Sequence, residues 1–212
     1  MNGYETVQSS TTTEEIKRSR FITEVRRVKG EEELFAELGA IRKKYSDATH
    51  VCYAAVFDKS GLAARFSDDG EPSGTAGQPI LEAIKQSGVK ETLVAVVRYF
   101  GGIKLGAGGL TRAYAGAATN GLKNSGRVTC TLCDEYRVRT SFATAKKISG
   151  ALEKKGYVTV KTDYDSAVTI TLRAEKDRDA EAEISALSLG TAAVEKLGTV
   201  YDERPVVTTD RT

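Results

Sequence analysis

Five consecutive apolar residues, Leu93 to Val97, narrow the folds open to this chain more than any other segment. Such a run is typical of a strand buried on both faces of its sheet. A loop with five glycines in nine positions follows, and then apolar residues at helical spacing predict a helix from about Gly108 to Lys123. The sequence therefore predicts a buried strand, a glycine-rich turn and a helix in succession.

The chain before this strand carries alternating and helical apolar patterns that predict further elements. An eleven-residue segment, Ser67 to Gly77, is too rich in Gly, Pro and Asp for regular structure, and we predict a shaped loop there. The predicted elements are a strand at 20–28, a helix at 31–45, a hairpin of strands at 49–57 and 62–66, and a helix at 78–87.

The pattern changes after Cys133, where strand and helix signals follow the order βαββαβ. This order is that of a ferredoxin-like unit. At 212 residues the chain has room for two modest domains. We therefore predict an α+β protein with an N-terminal domain at 1–132, a ferredoxin-like domain at 133–204 and a tail at 205–212.

The charge is unevenly distributed, although the net charge is only +2. Between Lys85 and Arg127 there are seven basic residues and a single acidic one, whereas basic and acidic residues are balanced after Glu135. A local positive region of this kind predicts an anionic partner.

The cysteine content and the hydropathy pattern bear on the compartment. No apolar run approaches the roughly 18 to 20 residues that cross a bilayer, and the first thirteen residues are polar, so we expect a cytoplasmic protein without a membrane contact. Cys130 and Cys133 form a CxxC pair, but no second pair at metal-ligand spacing exists. We expect thiols on an interdomain strand, with no metal and no cofactor.

The glycine-rich loop and its flanks form the first candidate site. Glycines let an anion approach the backbone amides, the following helix adds a partial positive charge, and Lys and Arg side chains add full ones. The same glycines could serve only the close packing of a helix on a sheet, and both interpretations stay open. The candidate anion- or nucleic-acid-binding residues are Arg98, Tyr99, Gly101, Gly102, Lys104, Gly106, Gly108, Gly109 and Arg112.

The acidic loop and the start of the preceding strand form a second candidate site. The carboxylates could bind Mg²⁺, act as general acid or base, or cap the next helix and pair with basic neighbours, and we expect the last of these. His50 and Cys52 lie on one face of a strand, which permits a thiolate–imidazolium pair, although a structural role is the more common one. The candidate accessory residues are His50, Asp68, Asp69, Glu71 and Ser73.

Long motifs carry a resemblance to a known family. They are Ser19-Arg20-Phe21-Ile22, Ala48-Thr49-His50-Val51-Cys52, the run from Asp68 to Leu81 (DDGEPSGTAGQPIL) and the run from Val97 to Gly106 (VRYFGGIKLG). Together they resemble the IMPACT family, also called the YigZ family, in its bacterial two-domain form. The resemblance covers about residues 1–125. It implies an N-terminal fold related to the second domain of ribosomal protein S5, and a C-terminal domain similar to that of elongation factor G.

The resemblance also implies a place in translation. Eukaryotic members are translational regulators that bind the activator of a starvation-responsive kinase, and they carry an extra N-terminal RWD domain. We expect this chain to begin almost at the family core, so that partner does not carry over. We expect a non-catalytic protein that binds RNA, the ribosome or a translation factor. The alternatives are an enzyme that binds a phosphate ligand through the glycine-rich loop and Asp68, Asp69 and Glu71, and a purely bridging role.

Overall fold

A computed structural model describes residues 3–206, which form two compact units. The N-terminal unit comprises residues 4–129 with 204–206, and the C-terminal unit comprises residues 130–203 with Gly3. The division lies between Thr129 and Cys130, whereas the sequence predicts it at 132/133. The elements in chain order are β1 (Gly3–Val7), β2 (Ser10–Ile16), β3 (Ser19–Arg27), α1 (Glu31–Lys44), β4 (His50–Val56), β5 (Ala64–Ser67), α2 (Gly77–Ser87), β6 (Thr92–Tyr99), α3 (Ala107–Asn124), β7 (Arg127–Thr140), α4 (Phe142–Lys154), β8 (Val158–Tyr164), β9 (Val168–Glu175), α5 (Ala180–Leu187) and β10 (Ala193–Pro205).

The sheet of the N-terminal unit has the order β2-β3-β6-β4-β5, and its paired neighbours are antiparallel. The apolar run lies on a strand, β6, as predicted, and this strand is the central one of the sheet. Leu93, Ala95 and Val97 pack against α1, while Val94 and Val96 pack against α2 and α3 on the opposite face. All five are fully buried, because both faces of the sheet are covered by helices. The predicted β4–β5 hairpin is confirmed by the antiparallel register from Tyr53 to Val56.

Strands β1 and β2 have no counterpart among the predicted elements. β2 pairs with β3 across a tight turn at Lys17 and Arg18, both of which have positive φ. The residues of β2 alternate between exposed and partly exposed positions, and most of them are Thr or Glu. An edge strand of this kind shows little apolar alternation, which explains why the hydropathy pattern does not reveal it.

The C-terminal unit follows the element order βαββαβ, in agreement with the sequence pattern. Its sheet places β9 between β7 and β8 with antiparallel pairing, and β10 pairs with β7. Apolar residues from both helices and the sheet form its core, including Val138, Ile148, Leu172 and Ile184. Ser141 and Asp179 cap α4 and α5 by accepting hydrogen bonds from the amides of Thr144 and Ala182.

The remaining structural expectations concern the cysteines, the tail and the helices. Cys130 and Cys133 are buried on β7, the strand on which the two units divide. Of the predicted tail at 205–212, Pro205 ends β10, and residues 207–212 lie outside the described residues. In the described part of the chain, no helix has the length and apolar character needed to cross a membrane.

Candidate functional site

Three separate segments of the N-terminal unit meet around one cavity of about 430 Å³. They are the start of β4, the acidic loop before α2, and the glycine-rich loop between β6 and α3. The volume lies in the range of small-ligand pockets, about 300 to 1,000 Å³. The polar wall consists of Thr49, His50, Glu71, Arg98 and Lys104, and the apolar wall includes Pro72, Phe100, Leu105 and Leu110.

A buried ion pair joins the acidic loop to β6 at the floor of this cavity. Arg98 Nη1 lies 2.6 Å from Glu71 Oε1, and the Tyr114 hydroxyl donates to the same oxygen at 2.8 Å. Only 6% of the Arg98 side chain and 4% of the Glu71 side chain are exposed. The Glu71 carboxylate is therefore neutralised within the protein.

Arg98 has donors beyond those that bind Glu71. Its Nη2 donates to Ser19 Oγ at 3.3 Å, and the same hydroxyl accepts the Gly101 amide at 3.3 Å. The buried Arg98 Nε has no hydrogen-bond partner among the described residues. A buried N–H without an acceptor is destabilising, so this donor marks a place where an acceptor is missing from the protein itself.

The His50 ring is held by a main-chain carbonyl. Its Nδ1 lies 2.8 Å from the carbonyl oxygen of Asp69. A carbonyl oxygen only accepts, so Nδ1 carries a proton in this contact. Nε2 lies 3.9 Å from Glu71 Oε1, and His50 is thereby fixed at the cavity wall.

Cys52 shares the strand face of His50, as the alternation predicts, but the two do not form a catalytic pair. The fully buried Cys52 thiol lies 3.0 Å from the carbonyl oxygen of Asp68 and 3.4 Å from the Tyr114 hydroxyl. Burial raises the pKa of Cys52 to about 12. The raised pKa and these two contacts favour a structural role of the thiol over a thiolate–imidazolium pair.

The acidic loop uses its carboxylates inside the fold. Asp68 accepts hydrogen bonds from three main-chain amides at the start of α2, those of Gly74, Ala76 and Gly77, at 2.8 to 3.0 Å. Burial alone would raise the pKa of Asp68, but these amides outweigh it and lower the pKa. Asp69 accepts the Val51 amide at 2.7 Å.

Asp68, Asp69 and Glu71 each face a different internal donor, which favours the capping and pairing roles of this loop over a magnesium site. Among residues 3–206, no group of three or more His, Cys, Asp or Glu side chains is arranged to hold a metal ion. Ser73 is exposed on the same loop and is not part of the described cavity wall.

The glycines of the second loop serve packing and conformation at different positions. A Cβ on Gly101 would lie 1.9 Å from the carbonyl oxygen of Arg18, so glycine is required there by close backbone packing. Gly109 also packs closely, since its Cβ would lie 3.1 Å from that of Leu105. Gly102 and Gly106 have φ values of 83° and 71°, which favour glycine. Gly108 is exposed in the first turn of α3.

The start of α3 opens on the cavity, since Gly106 and Ala107 line it. No side chain of the described residues accepts a hydrogen bond from the amides of residues 107–109, and the first turn contains no acidic residue. The first amides of a helix have no partner within the helix and carry a partial positive charge. This helix start is therefore an open set of donors beside Lys104.

Two residues nominated from the sequence do not line the cavity. Tyr99 is on the opposite face of the sheet, where its hydroxyl donates to Asp47 at 2.8 Å and the Arg20 guanidinium lies over its ring. Arg112 lines a separate cavity of about 290 Å³ with Lys17. That second cavity shares Leu105 with the first, and Arg112 Nη1 lies 3.6 Å from the place of a Cβ on Gly108, in the first turn of α3.

The basic region from Lys85 to Arg127 is not one surface patch, which corrects the interpretation of the charge count. Arg98 is buried and paired, while Lys123 and Arg127 line another cavity at the far end of α3. A helix of 18 residues spans about 27 Å, so Lys104 and Lys123 are far apart.

Several cavity residues are absent from the sequence-based candidates. Thr49 Oγ1 accepts the Phe100 amide at 3.1 Å and so fixes the entry to the glycine-rich loop. Ser19 and Tyr114 hold Arg98 and Glu71 in place. The sequence does offer a signal for Tyr114, because its position on the inward face of a predicted helix means that its buried hydroxyl needs a polar partner.

Comparisons with known proteins agree with the motifs. The family model described as the Impact N-terminal domain matches residues 17–122. The IMPACT family member YvyE of Bacillus subtilis is 36% identical over 90% of this chain and 89% of its own length. The IMPACT family member YigZ of Escherichia coli is 37% identical over 85% of this chain and 91% of its own.

A solved structure extends the similarity to three dimensions. A crystal structure described only as that of an hypothetical protein is 34% identical, with a TM-score of 0.62, over 92% of this chain and 97% of that one. The sequence matches cover both the glycine-rich loop and the acidic loop. The chain therefore belongs to the IMPACT family.

Proposed function

We propose that this protein is a non-catalytic binding protein of the translation apparatus that contacts RNA through the cavity in its N-terminal unit. The family is associated with translation regulation, which supports the setting. The observation that carries the proposal is the grouping of Lys104, Arg98 and the open start of α3 around one cavity. Phosphate groups are the ligands that such donors favour.

Binding is favoured over catalysis because the reactive groups near the cavity are already engaged. Burial raises the pKa of both the Cys52 thiol and the Tyr114 hydroxyl, so neither ionises at neutral pH. Glu71 is held by Arg98 and Tyr114, and Asp68 by amides of the α2 start. The alternative of an enzyme that uses Asp68, Asp69 and Glu71 loses its free carboxylates.

The two units also support a finer assignment of the fold. We infer a ferredoxin-like C-terminal unit, since the element order is βαββαβ, β9 lies antiparallel between β7 and β8, and β10 pairs with β7. We likewise infer an N-terminal unit related to the second domain of ribosomal protein S5. Both assignments favour a place near RNA by analogy of fold.

The test is the salt dependence of binding to single-stranded and ribosomal RNA. Replacing Lys104 with Ala should weaken RNA binding. It should also make the fall of the logarithm of the binding constant with the logarithm of the salt concentration less steep, by about one unit of slope, because one phosphate contact is lost. The matched control is Lys123→Ala, an exposed lysine at the far end of α3, which should bind as the wild type does. Absence of RNA binding, or equal losses in both variants, would contradict the proposal.

A further inference from the structure

We propose that the cavity is a receptor for a nucleoside phosphomonoester, either the phosphorylated end of an RNA strand or a free nucleoside monophosphate. This inference rests on the proposed function and specifies its ligand. The phosphate would sit against the start of α3 between Lys104 and Arg98. The nucleoside would lie against the apolar part of the wall.

The first support is the open helix start. The amides of residues 107–109 donate no hydrogen bond to any described side chain. Gly106 has no side chain that would block the approach to them. A Cβ added at Gly106 would meet no atom within 4 Å, so its positive φ, not crowding, selects glycine here. Open amides at a helix start are a general device for binding phosphate.

The second support is independent of the helix. Arg98 lines the cavity, although only 6% of its side chain is exposed. Its buried Nε has no hydrogen-bond partner among the described residues. The other two guanidinium nitrogens are bound to Glu71 and Ser19. The contacts to Glu71 and Ser19 use one N–H each of Nη1 and Nη2, so the rigidly held Arg98 head keeps a second N–H on each of these nitrogens, for which a phosphate oxygen is a suitable acceptor.

The charge balance favours a dianion. Arg98 and Glu71 neutralise each other, which leaves the exposed Lys104 and the partial charge of the α3 start as a net positive field at the cavity. A phosphomonoester carries a charge of about −1.5 to −2 near pH 7 and presents three terminal oxygens. Lysine, arginine and helix amides supply three separate kinds of donor for them.

The shape favours a chain end over an internal phosphodiester. A phosphodiester has chain on both sides and only two free oxygens, whereas a terminal phosphate can enter a recess. The volume of about 430 Å³ exceeds what one phosphate fills, and Phe100, Pro72, Leu105 and Leu110 offer apolar surface for the attached nucleoside.

The experiment compares RNA oligomers of one sequence that end in a 5′-phosphate, a 3′-phosphate or hydroxyls only, by fluorescence anisotropy with the full chain. We expect at least tenfold tighter binding of one phosphorylated form. Lys104→Ala and Ala107→Glu should abolish that preference, and Lys123→Ala should retain it. Competition with adenosine, guanosine, cytidine and uridine monophosphates and with inorganic phosphate then separates a free nucleotide from an RNA end.

The outcomes separate the two proposals. Equal affinity for phosphorylated and hydroxyl-ended RNA would overturn the phosphomonoester inference and leave RNA binding intact. If no RNA binds, the proposed function is overturned, and calorimetry with the monophosphates decides the inference: binding that depends on Lys104 supports it, and no binding overturns it. Inorganic phosphate binding as tightly as every nucleotide would overturn the nucleoside part.

Discussion

Helices α2 and α3 pack side by side on the same face of the N-terminal sheet, yet their first turns are completed in opposite ways. At α2 the Asp68 carboxylate accepts the amides of Ala76 and Gly77. At α3 no described side chain does this, and the helix start faces a cavity. The start of α2 is therefore stabilised by a carboxylate of the protein itself, whereas the start of α3 is free to bind an anion from outside.

The charged residues near the two helix starts also indicate that α3, unlike α2, binds an external anion. A lysine near the positive end of a helix is unfavourable by roughly 0.3 to 1 kcal/mol in the absence of an anion. Lys104 lies two residues before Gly106, at that end of α3. Stability alone would favour an acidic residue there, as at α2, so the lysine is better explained by a ligand than by folding.

The largest expected effect concerns Glu71, which joins the acidic loop before α2 to Arg98 on β6 and to Tyr114 on α3. Glu71→Ala leaves the Arg98 guanidinium buried without its counter-charge, and the free energy of unfolding should fall by about 3 to 5 kcal/mol. Urea denaturation measures it. The control is Glu82→Ala, which removes an exposed contact to Lys85 and should cost less than about 1 kcal/mol. Similar losses in both variants would show that the buried pair does not hold the cavity floor.

The second effect tests the internal anion of α2. Asp68→Ala removes the acceptor of three amides, and the free energy of unfolding should fall by about 2 kcal/mol, at the upper end of the values for helix caps. Ser73→Ala, an exposed change in the same loop, is the control and should have little effect. A stability equal to that of the wild type would remove the contrast between the two helices.

The sequence predicts both loops, because glycine, proline and aspartate reveal special backbone geometry locally. It does not predict the destinations of the carboxylates, since Asp68, Asp69 and Glu71 bind donors on α2, β4 and β6 respectively. Those partners are set by long-range packing, which spacing within the loop does not encode. The separation of Arg98 from Tyr99 was available from the strand period of two, because neighbours in a strand face opposite sides.

The third effect is the pH dependence of the α2 cap. Backbone amides lower the pKa of Asp68 in the folded state, so its carboxylate stabilises the fold above the unfolded pKa, about 3.9, and this contribution is lost as pH falls through the lower folded pKa. The difference in unfolding free energy between the wild type and Asp68→Asn should therefore shrink as the pH falls from about 5 to about 2. Other carboxyl groups contribute equally to both proteins. A difference independent of pH would show that the charge of Asp68 is not what the α2 amides recognise.

The smallest expected effect converts the start of α3 into one that resembles that of α2. Ala107→Glu places a carboxylate in the first turn, and the free energy of unfolding should rise by about 0.3 to 1 kcal/mol through the helix dipole. The same charge should repel a phosphate, so stability and binding of phosphorylated RNA change in opposite directions. Ala107→Gln has nearly the same size without the charge and should leave the free energy of unfolding unchanged by this route. If Ala107→Glu were destabilising, the amides of α3 would already be satisfied, and the contrast with α2 would be one of geometry alone.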